Sequence, residues 1–337
     1  MNSMKVFLTG GTGNVGAAAV SRLVDHGHEV TVVGRRPSVD VSGASYRQCD
    51  VGDYDCVARL MSGHDSVVHL AAIPNPVGNP GRAVFHSNAQ GTFNVFEAAA
   101  ENGISRVVAA SSINALGYFF GDRGFPIPYL PVDEHTPALP TDAYSFSKQV
   151  VESIGRYFWE RDGISSVCLR LPAVFPHERV LERQEEGAHP TELINEILGQ
   201  PDSEREARLA RMHDAYDRYR RANRWEHHER GGEWPPVPDD LSEDELRLMH
   251  WKANLFVYLD ELDSAQSIEL GLTVDYEGSH PLFVNARRNS VGLPVAELAK
   301  LFWPPVTEIR PQHEGDDCAV SIDRARELLG FDPEWHF

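Results

Sequence analysis

In the first half of the chain, apolar positions cluster in short dense runs separated by amphipathic stretches. Val6-Phe7-Leu8-Thr9, Val30-Thr31-Val32-Val33, Ser66-Val67-Val68-His69-Leu70, Arg106-Val107-Val108-Ala109-Ala110 and Ser166 to Leu171 read as buried strands. Between them, Asn14 to His26 and Asn88 to Glu101 read as helices. Strands alternating with helices predict an α/β fold with a doubly wound parallel sheet. Its ligands are expected at the carboxyl ends of the strands.

After Phe175 the pattern changes. His177 to His250 is dense in charge and carries no clear strand signal. Within it, Ser203 to Arg224 reads as a helix opened by a Ser203/Glu206 capping box. Leu209, Met212, Tyr216 and Tyr219 form its apolar stripe, read as core packing ahead of a dimer contact or an active-site lid. A second capping box, Ser242/Glu245, follows the turn Pro235-Pro236-Val237-Pro238. Helical texture then continues to strand-like Leu282-Phe283-Val284-Asn285, and Asp323 to Phe331 reads as a helix stopped by glycine. His227-His228 between Glu226 and Glu229 is not taken as a metal site, because adjacent helical residues do not converge on one ion.

Composition narrows the class without naming a chemistry. The 337 residues are 42% hydrophobic and 24% charged, as in a soluble globular protein of one large domain or two intimate lobes. A formal charge of -19 argues against nucleic acid or an anionic membrane as partner. Four cysteines without Cys-x-x-Cys spacing suggest free thiols in a reducing compartment. The run Val6-Phe7-Leu8 is too short for a signal peptide, and no stretch reaches the roughly 18 apolar residues of a membrane span. A cytoplasmic protein is expected.

Chemistry concentrates at three places. Gly10, Gly13 and Gly16, with Asn14 and Val15 between the last two, follow a strand and open a helix. Such a turn lets backbone amides approach a pyrophosphate at a helix N-terminus. At the end of the next strand, where a carboxylate would accept from ribose hydroxyls, stand Gly34, Arg35 and Arg36. Guanidinium groups there suit a 2′-phosphate, so NADP(H) is expected over NAD(H). Asp50 is positioned to accept from an adenine amino group, or to cap a helix. Finally, Tyr144 and Lys148 share one helix face, one turn apart. An ammonium beside a phenol favours the phenolate and makes tyrosine a usable acid and base.

Taken together, Thr9-Gly10-x-x-Gly13-x-x-Gly16, Asp50-Val51, His69-Leu70-Ala71-Ala72, Asn88-x-x-Gly91-Thr92, Ser111-Ser112 and Tyr144-x-x-x-Lys148 resemble the extended short-chain dehydrogenase/reductase family, including its epimerase/dehydratase branch. The resemblance covers Met4 to about Phe175 and resumes from Phe256-Val257-Tyr258-Leu259-Asp260 to the C-terminal helix. It implies a Rossmann-type sheet with a smaller, mostly helical C-terminal substrate lobe. Residues 1–175 would form the dinucleotide-binding domain, with 254–287 returning to it. Residues 177–250 and 288–337 would form the substrate lobe. The family's roles fall on Tyr144 as general acid and base, Lys148 as its partner and a ribose ligand, and Ser112 as the group holding the substrate oxygen. Val51, Leu70, Ala71, Ala72, Asn88 and Pro172 would line the cofactor site with the residues already named.

Departures from the family pattern narrow the substrate. Ile113-Asn114 replaces the Asp-Glu pair of the dehydratases, so 4,6-dehydration is rejected. Ala173 stands where nucleotide-sugar epimerases carry asparagine, and Asn254-Leu255 and His313 stand where they carry diphosphate-binding arginines. The resulting expectation is an oxidoreductase interconverting a carbonyl and a secondary alcohol on a sugar-like small molecule. An epimerase is the alternative and a non-catalytic cofactor sensor the third reading. A homodimer is compatible with each.

Overall fold

The computed structural model describes residues 3–186, 189–222, 235–306, 308–310 and 315–336. Its strands are β1 (Lys5–Thr9), β2 (Glu29–Gly34), β3 (Ser45–Gln48), β4 (Ser66–His69), β5 (Arg106–Ala110), β6 (Ser165–Arg170), β7 (Ala173–Phe175), β8 (Tyr258–Asp260) and β9 (Ser279–Phe283). Seven of them form one sheet in the order β3-β2-β1-β4-β5-β6-β9, every pairing parallel. This is the expected Rossmann-type arrangement. The strand order reverses between β1 and β4, which opens a crevice at their carboxyl ends.

Helices cover both faces of the sheet. They are α1 (Asn14–Asp25), α2 (Tyr54–Met61), α3 (Gly81–Phe85), α4 (Gly91–Glu101), α5 (Ala143–Asp162), α6 (His177–Glu186), α7 (His189–Leu198), α8 (Asp202–Ala222), α9 (Glu243–Ala253), α10 (Glu261–Thr273), α11 (Val295–Phe302) and α12 (Asp323–Leu329). Alternation along β1 sends Val6 and Leu8 to a core shared with Leu23 of α1 and Ile268 of α10. Phe7, between them, enters the opposite core with Val57 of α2, Phe96 of α4 and Phe158 of α5. Both faces of β1 are therefore dry, which is why its sequence reads as an unbroken apolar run.

A third core builds the lobe beyond the strand ends. It joins Tyr144 and the segment after β5 to α7, α8, α9 and α11. Leu209, Met212, Tyr216 and Tyr219 of α8 are all buried there. Arg220, which follows them, is buried as well, and nothing in its polar sequence context announced that.

The structure corrects several sequence expectations. α8 starts at Asp202, and the Arg205 amide donates to Pro201 O, so Ser203 lies inside the first turn and is not the cap. The capping box of Ser242 and Glu245 at α9 is present with both hydrogen bonds. The Asn88–Glu101 segment begins as one π-helical turn, His86–Gln90, before α4. β8 interrupts the helical texture expected up to Leu282 and pairs with β7; three residues are too few for a periodic signal. Residues 226–229 and His313 lie outside the described residues. All four cysteines are free, and no described helix is long and apolar enough to cross a membrane.

Candidate active site

The three glycines after β1 have three separate reasons. Gly10 has φ +77, and a Cβ there would fall 2.7 Å from Ala71 N and Leu70 C. A Cβ on Gly16 would fall 2.2 Å from Gly10 O, so α1 docks on the turn through that glycine. A Cβ on Gly13 would meet Gly10 O at an ordinary 3.6 Å, and Gly13 is exposed. The protein's own packing does not exclude a side chain at Gly13. The space above its backbone is the room a pyrophosphate needs. α1 begins there with no side-chain cap, so its first amides keep their donors for an anion. Asn14 is exposed and donates to Val174 O at 3.3 Å, and Val15 is half-buried. The turn therefore fits a dinucleotide.

Arg35 and Arg36 lie just past β2 and are exposed. Gln48 Nε2 donates to Arg35 O (3.0 Å) and the Tyr46 hydroxyl to Arg36 O (2.8 Å), which fixes their backbone. Neither guanidinium has an ion-pair partner among the described residues. Asp50 is exposed, and its Oδ1 accepts from Gly52 N at 2.9 Å. Helix capping falls to Asp53, which accepts from Cys56 N, so the capping alternative for Asp50 is wrong. Val51 packs on Gly91, where a Cβ would fall 2.8 Å from its Cγ2.

At the end of β4, Leu70, Ala71 and Ala72 are half-buried beside the glycine turn. A chain of hydrogen bonds holds them. The Thr92 hydroxyl donates to Asn88 O (2.7 Å), so it accepts from His69 Nε2 (3.0 Å). His69 Nδ1 then accepts from Thr9 Oγ1 (2.8 Å), which in turn accepts from Ala71 N (3.2 Å). Burial pushes the His69 pKa down to about 3, which keeps the imidazole neutral and this tautomer intact. Asn88 is used by the protein itself: Oδ1 accepts from Ile73 N (2.8 Å), while Nδ2 donates to Ile73 O (3.1 Å) and Ser147 Oγ (3.1 Å). Its amide ties the loop after β4 to α5.

Tyr144 and Lys148 lie one turn apart on α5, only 5% and 3% exposed, in place of the exposed pair that their spacing allows. The Ser112 hydroxyl accepts from Asn114 N (3.1 Å) and stands within hydrogen-bonding reach of the Tyr144 side chain, and Ser111 is committed elsewhere, donating to Glu152 Oε1 at 2.7 Å. Lys148 Nζ donates to Ala110 O (2.8 Å) and lies 5.8 Å from the centre of the Tyr144 ring. Burial raises the tyrosine to about 12, against the expected lowering; the Ser112 hydrogen bond opposes that rise. Burial likewise lowers Lys148 to about 8, and the Glu152 charge opposes it. Glu152 is held by Arg170 through Nε (2.8 Å) and a second nitrogen (2.9 Å). Pro172, just beyond β6, is half-buried.

Sequence reasoning missed His69, Thr92 and Glu152 as supports of this site. Glu152 had a signal: Tyr144, Lys148 and Glu152 recur every four residues on one helix face.

The family model described as NAD dependent epimerase/dehydratase family matches residues 6–206, more than half the chain. A uronate dehydrogenase from Pseudomonas syringae pv. tomato is 29% identical over 181 residues, 51% of this chain and 60% of that protein. An L-arabinose 1-dehydrogenase (NAD(P)(+)) from Haloferax volcanii is 34% identical over 188 residues, 54% of this chain and 72% of that protein. Among solved structures, a short-chain dehydrogenase/reductase superfamily protein from Agrobacterium tumefaciens with bound NAD has a TM-score of 0.62 at 20% identity. That match covers 98% of this chain and 93% of that one. The chain thus belongs to the NAD dependent epimerase/dehydratase family.

Proposed function

We propose that this protein is an NADP(H)-preferring oxidoreductase that interconverts a carbonyl and a secondary alcohol on a sugar-like small molecule. The observation that carries the reading is the buried Ser112–Tyr144–Lys148 arrangement at the mouth of the β1/β4 crevice. Sugar dehydrogenases among the relatives support the substrate class.

When bound, the nicotinamide supplies the acceptor or donor of hydride. Gly13 and the first amides of α1, with Asn14 and Val15, would hold the pyrophosphate. Arg35 and Arg36 would take the 2′-phosphate, and Asp50 and Val51 the adenine end. Leu70 to Ala72 and Pro172 would form walls, with Asn88 setting the loop rather than touching the ligand. Ser112 would fix the substrate oxygen beside Tyr144. The neutral phenol that burial favours is the form that donates a proton to a carbonyl under reduction. Oxidation needs the phenolate, which Ser112 and the Lys148 ammonium stabilise.

The segment 254–287 serves the dinucleotide domain through α10, which packs against α1, and β9, while 177–250 and 288–320 would supply the substrate lobe; α12 packs back on α10 and β9, in the core of the sheet. A homodimer fits the exposed Phe93, Phe146 and Tyr157 on α4 and α5. The test is a screen of sugars, sugar acids and ketones with NADP+ and NAD+, following reduced nicotinamide, alongside the nucleotide content of the protein as purified. Turnover with added NADP+ exceeding that with NAD+ is expected. Stoichiometric bound NAD with sugar epimerised in the absence of added nucleotide would replace this reading with an epimerase.

A further inference from the structure

The charged segment after β7 places a cluster of nitrogen-bearing side chains against the loop that follows β5. Arg220, near the end of α8, is buried, and among the described residues its guanidinium donates to main-chain carbonyls of that loop: Gly121 O (2.8 Å), Tyr118 O (2.8 Å) and Arg123 O (3.1 Å). Lys252, in the last turn of α9, holds Nζ 5.9 Å from the centre of the Tyr118 ring. No hydrogen bond or ion pair to a described residue engages that ammonium. Burial and the Arg220 charge lower its pKa to about 8, so it is still protonated at neutral pH.

Two imidazoles complete the cluster. Burial holds His213 and His250 neutral, down to about 4, with the Lys252 charge adding to the shift of the first and the Arg220 charge to that of the second. His213 Nε2 is buried without a hydrogen-bond partner among the described residues. The carboxylate that opposes the lowering of Lys252 is Asp217, whose side chain is 41% exposed and lies 3.9 Å from Arg221. Among the described residues, that one solvent-facing carboxylate is set against two cations withdrawn from water. Such charge is costly unless an anion completes it.

The cluster is continuous with the reacting centre. The Phe120 ring meets Tyr144 edge-on (5.5 Å between centres) and Phe119 (4.6 Å), and Phe119 meets His250 (5.7 Å). Tyr118, under Lys252, is two residues from Phe120, so their Cα atoms are at most ~7 Å apart. Just after Lys252 the chain passes through two left-handed non-glycine residues, Leu255 (φ 58) and Phe256 (φ 54). Strain of that kind is kept where the surroundings require a particular placement.

We propose that Lys252, backed by Arg220 and His213, is the subsite for an anionic group carried by the substrate, a carboxylate or a phosphoryl group on the sugar. This deepens the oxidoreductase reading and rests on it for the sugar. Lys252 makes the direct contact. Arg220 is a positioning residue that holds the loop and adds its field.

The test is calorimetric titration of the full chain, with NADP+ present, using D-glucuronate, D-glucose 6-phosphate and D-glucose. At least one anion is expected to bind roughly tenfold or more tighter than glucose, the scale of a charge-assisted hydrogen bond. Whichever anion it is decides between carboxylate and phosphoryl group. Lys252→Met should lower the anion-to-glucose affinity ratio roughly tenfold, and Lys252→Arg should restore part of it. Should Lys252→Met fail to fold, Lys252→Gln and the wild-type preference carry the same test. Equal binding of all three sugars, binding of none, or a ratio unmoved by the Lys252 variants would overturn the subsite. Anion binding without nicotinamide reduction would spare it and sink the oxidoreductase. Turnover without anion preference would do the reverse.

Discussion

Gly13 and Gly16 lie three residues apart in one turn, yet their substitution should fail in different ways. Gly16→Ala drives a methyl into Gly10 O and should cost about 1–3 kcal/mol or more of stability, read as a lower denaturation midpoint. Gly13→Ala meets only an ordinary contact, so the fold should hold while dinucleotide affinity falls roughly tenfold or more. Titration of cofactor into both variants checks the pair; unchanged affinity in Gly13→Ala would remove the pyrophosphate from that position. Arg35→Ala should likewise cut the NADP+ to NAD+ affinity ratio roughly tenfold, since one charge-assisted contact is lost. It is a cleaner probe than placing an acid at Gly34, where a Cβ would sit 3.0 Å from the Tyr46 hydroxyl. At this scale the sequence was most legible where spacing alone implies geometry: Gly10 and Gly16 stand where a side chain would clash, and Tyr144 and Lys148 lie one turn apart on α5. It was least legible where a residue's partners come from distant segments. Asn88 reads as a cofactor ligand until Ile73 and Ser147 are seen to use its amide. The tyrosine's pKa depends on burial, which two residues on a helix do not reveal.

Among the elements, the strands of the main sheet were legible because burial on both faces leaves unbroken apolar runs, as in Val6-Phe7-Leu8. The π-helical turn His86–Gln90 and the short β7–β8 pair left no periodic mark. α8 illustrates both outcomes: its Leu/Met/Tyr stripe gave away the buried face, whereas the buried Arg220 at its end did not. The hydrogen-bonded chain from Ala71 through Thr9, His69 and Thr92 to Asn88 joins β1, β4 and α4. His69 has a folded pKa lowered from 6.5 to about 3, so below pH 6.5 the unfolded chain takes up a proton that the folded chain refuses. Stability present above pH 6.5 is therefore lost as pH falls toward 3, by about 1.4 kcal/mol per pH unit for this imidazole. His213 and His250 act in the same direction down to about 4. Urea unfolding at pH 7 and pH 5 should show a smaller acid loss in His69→Asn than in wild type; equal losses would mean His69 protonates in the folded state.

Across the whole molecule, the parallel sheet delivers the glycine turn, the arginines and the end of β4 to one crevice, and α5 brings Tyr144 and Lys148 to its rim. The lobe built by α7 to α9 and α11 closes over that rim and carries the Lys252 cluster. The exposed aromatics of α4 and α5 face away from this core, with Phe93 and Tyr157 stacked at 6.2 Å. If they form the contact of a homodimer, a Phe93→Asp, Tyr157→Asp double variant should sediment at half the mass of the wild type. A wild type that already sediments as a monomer would end that reading. The core of the dinucleotide fold was legible because it is built from local periodic elements. The lobe beyond the strand ends was not, since its packing joins segments far apart in the chain and its polar residues have no spacing that marks their role.

The most direct measurement is the turnover of Tyr144→Phe beside wild type, on the sugar or sugar acid that reduces NADP+ fastest, with cofactor affinity measured in parallel. The expected result is turnover lowered roughly 100-fold or more, the scale of positioned acid–base catalysis, with cofactor affinity nearly unchanged. Turnover retained in Tyr144→Phe would contradict the assignment of the phenol as the proton-transfer group.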